Sequence, residues 1–298
     1  MTTLFDTFVS RRIRTSGAEI HLVVGGSGPP VLLLHGYPQT HAMWHRVAPA
    51  LTRSFTVVCP DLRGYGDSEK PDGGPSHINY SKRAMALDQV EVMEALGFSQ
   101  FAVVGHDRGG RVAHRLVMDH PAKATRLAVL DICPTKLMYA QTDKAFATAY
   151  YHWFFLIQPF DLPERLIGAD PVYYLRRKLG GWSSGLQHFD PRALAEYERC
   201  IALPGTADAI CADYRAAAGI DLVHDRADRA AGRMLKMPLL ALWGRDGVVG
   251  RCFKPLEEWN RVAVDVAGDD LPCGHYIAEE APQALLDKVV PFLSAIRR

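Results

Sequence analysis

An aspartate stands where an apolar run meets a helical pattern, in the stretch GHDRGG at residues 105 to 110. A strand, a G-x-D-x-G turn and a helix form the pattern of a nucleophile elbow, whose tight turn accepts only small neighbours and projects one side chain above a sheet. Serine is the usual residue there, so Asp107 indicates different chemistry. The alternative is that Asp107 only caps the helix, a frequent role for aspartate. Further motifs in the expected chain order favour the nucleophile.

An aspartate nucleophile is suited to attack on saturated carbon. A carboxylate with an unperturbed pKa near ~3.9 is anionic at neutral pH and needs no base before it attacks. Attack on an acyl carbonyl would give a reactive anhydride, whereas attack on a saturated carbon with a leaving group gives an ordinary ester. The residue type therefore predicts a carbon–halogen bond or an epoxide as the target, and it disfavours an esterase.

The remaining parts of such a site occur in the right order. His275 follows a glycine in LPCGHYIAEEAP and precedes a helical pattern, where a base could activate water against the ester. Asp131 and Asp246 both lie at the carboxyl ends of strand patterns, and pattern alone does not decide which acid orients His275. The stretch LLHGYP predicts an oxyanion loop, in which the backbone N–H groups of Tyr37 and Arg108 would point into one cavity.

Two cations follow the predicted nucleophile. Arg108 and Arg111 are three residues apart in the first helical turn and share a face. Cations at a helix N-terminus are unfavourable by about 0.3–1 kcal/mol each, so the pair indicates an anionic partner. The planar guanidinium group suits a carboxylate, which predicts a substrate carboxylate held with its α-carbon at Asp107. The alternative is that either arginine pairs with a protein acid such as Asp131.

An aromatic segment supplies candidate donors for a halide. YYHWFF contains His152 and Trp153, and the indole N–H is a donor only, while histidine can donate. Tyr214 in CADYRAAAGID can add a third donor, although residue type alone does not distinguish it from the other tyrosines. The alternative for the aromatic segment is simple packing.

The elements that would position these residues alternate between strand and helix patterns. A hairpin is predicted at residues 6 to 25, and helical patterns at 81 to 97 and 110 to 121. Continuous apolar runs indicate strands buried on both faces of a sheet; they are VLLLH (31 to 35), FTVVC (55 to 59), FAVVG (101 to 105), RLAVLD (126 to 131) and PLLALWG (238 to 244). The alternation predicts an α/β fold with a mostly parallel, doubly wound sheet.

The alternation of strand and helix patterns stops after Pro134. Residues 136 to 232 carry aromatic, helix-like segments without a strand pattern. We therefore expect an α/β core formed by residues 1 to 135 and 233 to 298, with residues 136 to 232 inserted as a helical cap over the strand ends.

Composition excludes several classes of protein. The 34 basic and 33 acidic residues leave a formal charge of +1, so no global field attracts nucleic acid or anionic lipid. Apolar runs are far shorter than the ~20 residues of a membrane span, and the N-terminal residues lack a secretory signal pattern, which predicts a soluble, cytoplasmic protein. The six cysteines show neither CxxC pairs nor zinc-ligand spacing, so we expect buried free thiols and no metal.

These residues and motifs together resemble the fluoroacetate (haloacetate) dehalogenases of the α/β-hydrolase fold. GHDRGGR with YHW is specific to that family, whereas the HG and DLRGYGDS segments occur across many relatives. The matching segments cover nearly the whole chain: LLHGYPQTHAMWHRVAP, DLRGYGDS, YSKRAMA, GHDRGGRVAHRL, LAVLDICPT, YHWFF, DYRAAAGID, LALWG and CGHYIAEEAP.

The resemblance implies hydrolysis of fluoroacetate or chloroacetate to glycolate and halide, no cofactor, and a homodimer. It assigns the nucleophile, base and acid partner to Asp107, His275 and Asp131, the carboxylate clamp to Arg108 and Arg111, and the halide pocket to His152, Trp153 and Tyr214. Two positions depart from the family pattern. Tyr37 stands where the family often has phenylalanine and adds a hydroxyl near the site, and Asp246 is an acid that the pattern does not require.

Three other functions remain open from the residues alone. An epoxide hydrolase shares the aspartate and the histidine and uses tyrosines to protonate the epoxide oxygen. It needs neither an anion clamp nor halide donors, and a haloalkane dehalogenase acting on neutral substrates likewise needs no arginine pair. A receptor of this fold that binds a small molecule without turnover is also compatible with the fold class.

Overall fold

The computed structural model describes residues 4 to 183 and 185 to 295 and is built on an eight-stranded sheet. The strands are β1 (Val9–Arg14), β2 (Glu19–Gly26), β3 (Pro30–Leu34), β4 (Thr56–Pro60), β5 (Phe101–His106), β6 (Ala124–Leu130), β7 (Leu239–Gly244) and β8 (Val266–Leu271). Their order is β1-β2-β4-β3-β5-β6-β7-β8. The pairs β1/β2 and β2/β4 are antiparallel, and the other five pairs are parallel. The predicted mostly parallel α/β fold is confirmed.

The described residues contain fifteen α-helices. In chain order they are α1 (Ala48–Leu51), α2 (Lys82–Ala95), α3 (Asp107–Asp119), α4 (Thr135–Ala140), α5 (Lys144–Ala149), α6 (Tyr151–Phe155), α7 (Leu162–Ala169), α8 (Pro171–Trp182), α9 (Pro191–Ile201), α10 (Thr206–Ala218), α11 (Ile220–Ala230), α12 (Val248–Cys252), α13 (Pro255–Asn260), α14 (Ile277–Glu280) and α15 (Pro282–Ser294). Short 3-10 helices occupy His41–Trp44, Pro75–Tyr80 and Leu186–His188.

The central strands bury both faces, which explains their unbroken apolar runs. All six residues of β5 are buried, and so are the last five residues of β6. Strand β8 has no such run: its sequence VAGDDL alternates half-buried and exposed residues, because it lies at the edge of the sheet. The apolar runs therefore predicted β3 to β7, and the hairpin expected at residues 6 to 25 covers β1 and nearly all of β2. Among the described strands, β8 was not predicted.

Eight helices, α4 to α11, lie between β6 and β7, in the segment expected to form a cap. Three of them begin with an aspartate N-cap, Asp143, Asp170 or Asp190, whose carboxylate accepts a backbone N–H of the first turn. The segment contacts the carboxyl end of the sheet: the backbone N–H of His275 donates to the carbonyl of Trp182 at 3.1 Å. Residues after the strand ends are thus covered by helices.

Two further structural features concern the cysteines and the lengths of the helices. All six cysteines are free, and five are buried while Cys252 is half-buried. Within residues 4 to 183 and 185 to 295, no helix has the length and apolar character needed to cross a membrane.

Candidate active site

The turn between β5 and α3 holds Asp107 in a left-handed backbone conformation, with φ of 46°. A side chain other than glycine rarely adopts this conformation, and such strain concentrates at functional sites. The surrounding glycines make the turn possible. A Cβ on Gly109 would lie 2.3 Å from the carbonyl oxygen of His35, and one on Gly105 would lie 2.6 Å from the carbonyl oxygen of Gly109. The predicted requirement for small neighbours therefore has a direct steric cause.

The buried Asp107 carboxylate does not serve as the cap of α3. The N-cap residue is His106, and the Oδ1 atom of Asp107 instead accepts the backbone N–H of Tyr37 at 2.9 Å. Burial alone would raise the pKa of Asp107, but the positive charges around it, of His275 and then of Arg111 and Arg108 among others, hold the pKa below its ordinary value. The group is an anion at neutral pH.

His275 and Asp131 form a buried pair beside Asp107. The Nδ1–H of His275 donates to Asp131 Oδ2 at 2.6 Å, and Asp131 Oδ1 accepts the backbone N–H of Gly244 at 3.0 Å. The Nε2 atom of His275 is buried and has no hydrogen-bond partner among the described residues. Asp246 is exposed, so of the two acids left open by the sequence, Asp131 is the one in contact with the imidazole.

The environment of His275 raises its pKa. Burial alone would lower the pKa, but the hydrogen bond and the charge of Asp131 outweigh it. Behind the imidazole, His106 donates from Nε2 to the carbonyl of His275 at 2.8 Å, with ring centroids 4.6 Å apart. Burial, with the charge of His275, lowers the pKa of His106 to about 3, so His106 is a neutral support.

Arg108 is engaged by an acid that sequence analysis missed. Asp213 of α10 accepts Nε–H at 2.9 Å on Oδ2 and Nη2–H at 2.6 Å on Oδ1, and its carbonyl accepts a third bond. The same carboxylate pairs with Lys82 and accepts the hydroxyl of Tyr65. The alternative that Arg108 pairs with a protein acid is therefore realised, with Asp213 rather than Asp131. Of the guanidinium nitrogens, only Nη1 has no acceptor among the described residues.

Arg111 is a buried cation without a carboxylate partner among the described residues. Its Nη1 donates to the carbonyl of Cys133 at 3.1 Å and to Thr135 Oγ1 at 2.8 Å, and its Nη2 donates to the sulfur of Met138. Its Nε atom is buried without an acceptor. An unpaired buried guanidinium is costly, so this group is the one that a bound anion would stabilise.

The aromatic residues expected to hold a halide lie against these arginines. The guanidinium carbon of Arg108 is 4.2 Å from the ring centroid of Tyr214, and that of Arg111 is 4.7 Å from the ring centroid of Trp153. The hydroxyl of Tyr214 and the Nδ1 atom of His152 are buried without partners in the described structure. Burial and nearby cations keep the pKa of His152 well below its usual value, so its imidazole is neutral.

The hydroxyl of Tyr37, a departure from the family pattern, is directed to α8. It donates to the hydroxyl of Tyr174 in α8 at 2.8 Å. The ring of Tyr37 stacks on His152 with centroids 5.7 Å apart and an interplanar angle of 4°. The extra hydroxyl therefore links the loop after β3 to α8.

Trp182, at the end of α8, is a second residue that sequence analysis missed. Its ring centroid lies 4.4 Å from that of His152 and 5.2 Å from that of His275. No chemical pattern surrounds it in GGWSSG. Asp213 carried a weak signal, since it is the acid next to Tyr214 on an alanine-rich helix, where a charge needs a partner.

One group of side chains outside this site has metal-ligand types. His21, His41 and Asp61 place ligand atoms within 4.8 Å of one another, and all are buried. The carboxylate already accepts the Nδ1–H of both histidines at 2.9 Å and the backbone N–H groups of His41 and Asp67. A metal would have to displace these bonds, so the cluster is a group of hydrogen-bonded side chains.

By their names, relatives of this chain include a dehalogenase and hydrolases. Residues 29 to 179 match the family model of the α/β hydrolase fold. The fluoroacetate dehalogenase of Burkholderia sp. is 45% identical over 295 residues, which cover 99% of this chain and 96% of that protein. The soluble epoxide hydrolase of Corynebacterium sp. (strain C12) is 36% identical, covering 95% of this chain and 96% of that protein. A solved α/β hydrolase from Nostoc sp. PCC 7120 has a TM-score of 0.96 and 56% identity, covering 98% of this chain and 100% of that one.

Proposed function

Because the chain belongs to the fluoroacetate dehalogenase family of the α/β-hydrolase fold and is therefore a hydrolase, we propose that it hydrolyses small 2-halo carboxylic acids, releasing glycolate and halide from fluoroacetate or chloroacetate. The observation that carries the proposal is an aspartate at the elbow, followed within one turn by two buried arginines. An aspartate nucleophile suits an alkyl electrophile, and the arginines suit a substrate that is an anion.

In this mechanism the substrate carboxylate binds the free donors of the two arginines. Arg111 offers Nε and Arg108 offers Nη1, and neither atom has a protein acceptor in the described structure. Binding there presents the α-carbon to Asp107. The helical segment of residues 136 to 232 acts as the cap that excludes water from the bound acid.

The first chemical step is displacement of halide by Asp107. Its Oδ2 atom has no protein hydrogen bond in the described structure, so this oxygen attacks the α-carbon and the halide leaves with the bonding electron pair. Fluoride is strongly hydrated in water, and a dry site must replace that hydration with aimed donors. His152, Trp153 and Tyr214 supply them.

The second step is hydrolysis of the Asp107 ester. Its carbonyl oxygen is Oδ1, which already accepts the N–H of Tyr37, so the backbone is placed to stabilise the developing oxyanion. His275 takes a proton from water as the hydroxide adds to the ester carbonyl, and Asp131 stabilises the imidazolium. Collapse returns that proton to the glycolate alkoxide and leaves the Asp107 carboxylic acid, which ionises in its cationic surroundings.

Epoxide hydrolysis is the second candidate. The unpartnered, buried hydroxyl of Tyr214 favours it, because an epoxide oxygen needs an acid during ring opening. The unpaired cation Arg111 argues against it, since a neutral epoxide would leave that charge uncompensated. A receptor without turnover would bind the acid and release no product.

The test is halide and glycolate release from fluoroacetate and chloroacetate, with Asp107→Asn as the control. Asparagine tolerates the positive φ at this position, so loss of activity would report the carboxylate rather than the turn. A single turnover in heavy-oxygen water should give unlabelled glycolate and place the label in Asp107. Label in the first glycolate, or release by Asp107→Asn, would exclude the ester intermediate.

The proposal includes a homodimer, which the family resemblance implies. Sedimentation equilibrium of the purified chain tests this point independently of activity.

A further inference from the structure

Trp182 forms a wall shared by two neighbouring cavities. One cavity, of about 340 Å³, extends to His275 and is also lined by Tyr150. The other, of about 300 Å³, lies against α8 and α12 and shares four lining residues with the first: Gly181, Trp182, Val248 and Arg251. The same indole contacts His152 and His275, as described above, so the second cavity adjoins residues of the candidate site.

The second cavity has charges of one sign. Its ionisable lining residues include Arg177, Lys178 and Arg251, and no acidic residue lines it. None of these cations forms a salt bridge with an acid in the described part of the chain, although most surface arginines in the structure do. The chain as a whole has a formal charge of only +1, so this concentration of positive charge is local.

Lys178 is the unusual member of this group, because it is 2% exposed and has no carboxylate partner in the described structure. Buried lysines are almost always paired. Its ammonium nitrogen instead lies 3.4 Å from the ring centroid of Tyr151, 5.1 Å from that of Trp182 and 5.9 Å from that of Tyr174. Cation–π contacts offset part of the cost of burying an ammonium group.

Burial lowers the pKa of Lys178 to about 7. The lysine is therefore only partly protonated at neutral pH. An anion bound next to Lys178 would raise its pKa and favour the protonated ammonium form. The lysine can therefore respond to a bound anion, because no carboxylate of the described structure already neutralises it.

We propose that Arg177, Lys178 and Arg251 form an anion vestibule beside Trp182, which collects small monovalent anions, short carboxylates and halides, with Arg251 at the boundary to the cavity that reaches His275. The proposal rests on the hydrolysis of 2-halo acids proposed above, because both the substrate and the released halide of that reaction are anions. The vestibule raises the local concentration of the acid and gives the halide a site outside the reaction cavity. Clefts lined by charge of one sign raise association rates about 10- to 10³-fold.

Anion binding can be measured directly through Trp182. Iodide quenches indole fluorescence on contact, so occupancy next to Trp182 should add a saturable component to the otherwise linear quenching of Asp107→Asn protein. Lys178→Met keeps the apolar stem among the aromatic rings and removes the charge. We expect this second substitution to weaken the saturable component at least about fivefold, and Trp182→Phe to remove it. Equal saturable quenching with and without the Lys178 charge would overturn the proposal.

Kinetics test the two exposed arginines. The double variant Arg177→Gln with Arg251→Gln should lose about three- to tenfold in kcat/KM for fluoroacetate at low ionic strength, with kcat unchanged, and the loss should shrink in salt. Arg53→Gln is the matched control, since Arg53 is exposed, lines neither cavity and has no salt bridge in the described structure.

The outcomes separate the vestibule from the proposed activity. A wild-type enzyme that releases fluoride while the double variant behaves as Arg53→Gln rejects the vestibule and leaves the activity intact. A wild-type protein that releases no halide rejects the activity, and the iodide titration then decides the vestibule.

Discussion

Both carboxylate oxygens of Asp213 accept hydrogen bonds from the guanidinium group of Arg108, at 2.6 Å and 2.9 Å. The pair is fully buried, and Lys82 and Tyr65 also bind the same carboxylate. Two consequences follow. The orientation of Arg108 is fixed by Asp213, with Nη1 as its remaining donor. Asp213 pairs with both Arg108 and Lys82, whereas Arg111 has no carboxylate partner in the described structure.

Asp213→Asn should therefore impair substrate binding as well as stability. Removing one partner of a buried ion pair costs about 3–5 kcal/mol of unfolding free energy, and a misplaced binding group can cost about 10²-fold in rate. We expect kcat/KM for fluoroacetate to fall by about that factor, mainly through KM. Steady-state kinetics and thermal unfolding measure the two effects.

Asp228→Asn is the matched control for this substitution. Asp228 is a buried acid that pairs with Arg115 at 2.5 Å, away from the site. It should lose stability and keep KM. If both variants change KM equally, Asp213 has a structural role only.

Asp131 could be predicted from the sequence as a candidate site residue, whereas Asp213 could not. Asp131 follows a strand run and so falls at the carboxyl edge of the sheet, where topology requires functional residues to collect. Asp213 lies on α10, between β6 and β7, and its contact with Arg108 spans 105 residues of chain. No local pattern encodes that contact, because it depends on how α10 is placed relative to the first turn of α3.

The same distinction holds for the sheet. The buried strands are visible as apolar runs because helices cover both their faces, whereas β8 is hidden because its edge position permits Asp269 and Asp270. Trp182 and Lys178 could not be singled out from the sequence for a third reason: they line cavities that form only when α8 packs against other elements.

The pH dependence of ester hydrolysis should reflect His275. The imidazole must be neutral to accept a proton from water, and its pKa is raised above the ordinary 6.5. The rate should therefore rise with pH and reach half its plateau above 6.5. Stopped-flow measurement of hydrolysis after rapid alkylation of Asp107 gives this profile, and a rate independent of pH between 5 and 8 would contradict the assignment.

Asp131→Asn should move that profile in a defined direction. The negative charge of Asp131, which helps to raise the pKa of His275, is removed while the opposing burial remains, so the midpoint moves to lower pH. The plateau should fall by about 10²–10⁴-fold, the usual contribution of an oriented base. Asparagine accepts the φ of 51° at this position, so the turn is preserved. Mass spectrometry should show the ester on Asp107 accumulating.

Arg111→Leu should remove most activity on 2-halo acids. Arg111 is the buried cation without an acid partner in the described structure, and a hydrogen bond to a charged group is worth about 1.5–3 kcal/mol. We expect kcat/KM for fluoroacetate to fall at least about tenfold. Arg111→Lys keeps the charge and loses the planar guanidinium group, so its kcat/KM should lie between those of the wild type and the leucine variant. Unchanged efficiency of the leucine variant would exclude the carboxylate clamp.

Trp153→Phe should slow the release of fluoride more than that of chloride. Phenylalanine keeps a smaller aromatic ring near the guanidinium of Arg111, whose carbon is 4.7 Å from the Trp153 ring centroid in the wild type, and it removes the indole N–H. Fluoride depends more on donors because its hydration is stronger, and loss of one bond to an anion costs about 1.5–3 kcal/mol. The ratio of fluoride to chloride turnover should thus fall by about tenfold or more. Trp44→Phe is the control, since Trp44 is another buried indole whose N–H has no partner in the described structure. An equal loss for both halides in Trp153→Phe would mean that the indole packs against Arg111 without binding the leaving group.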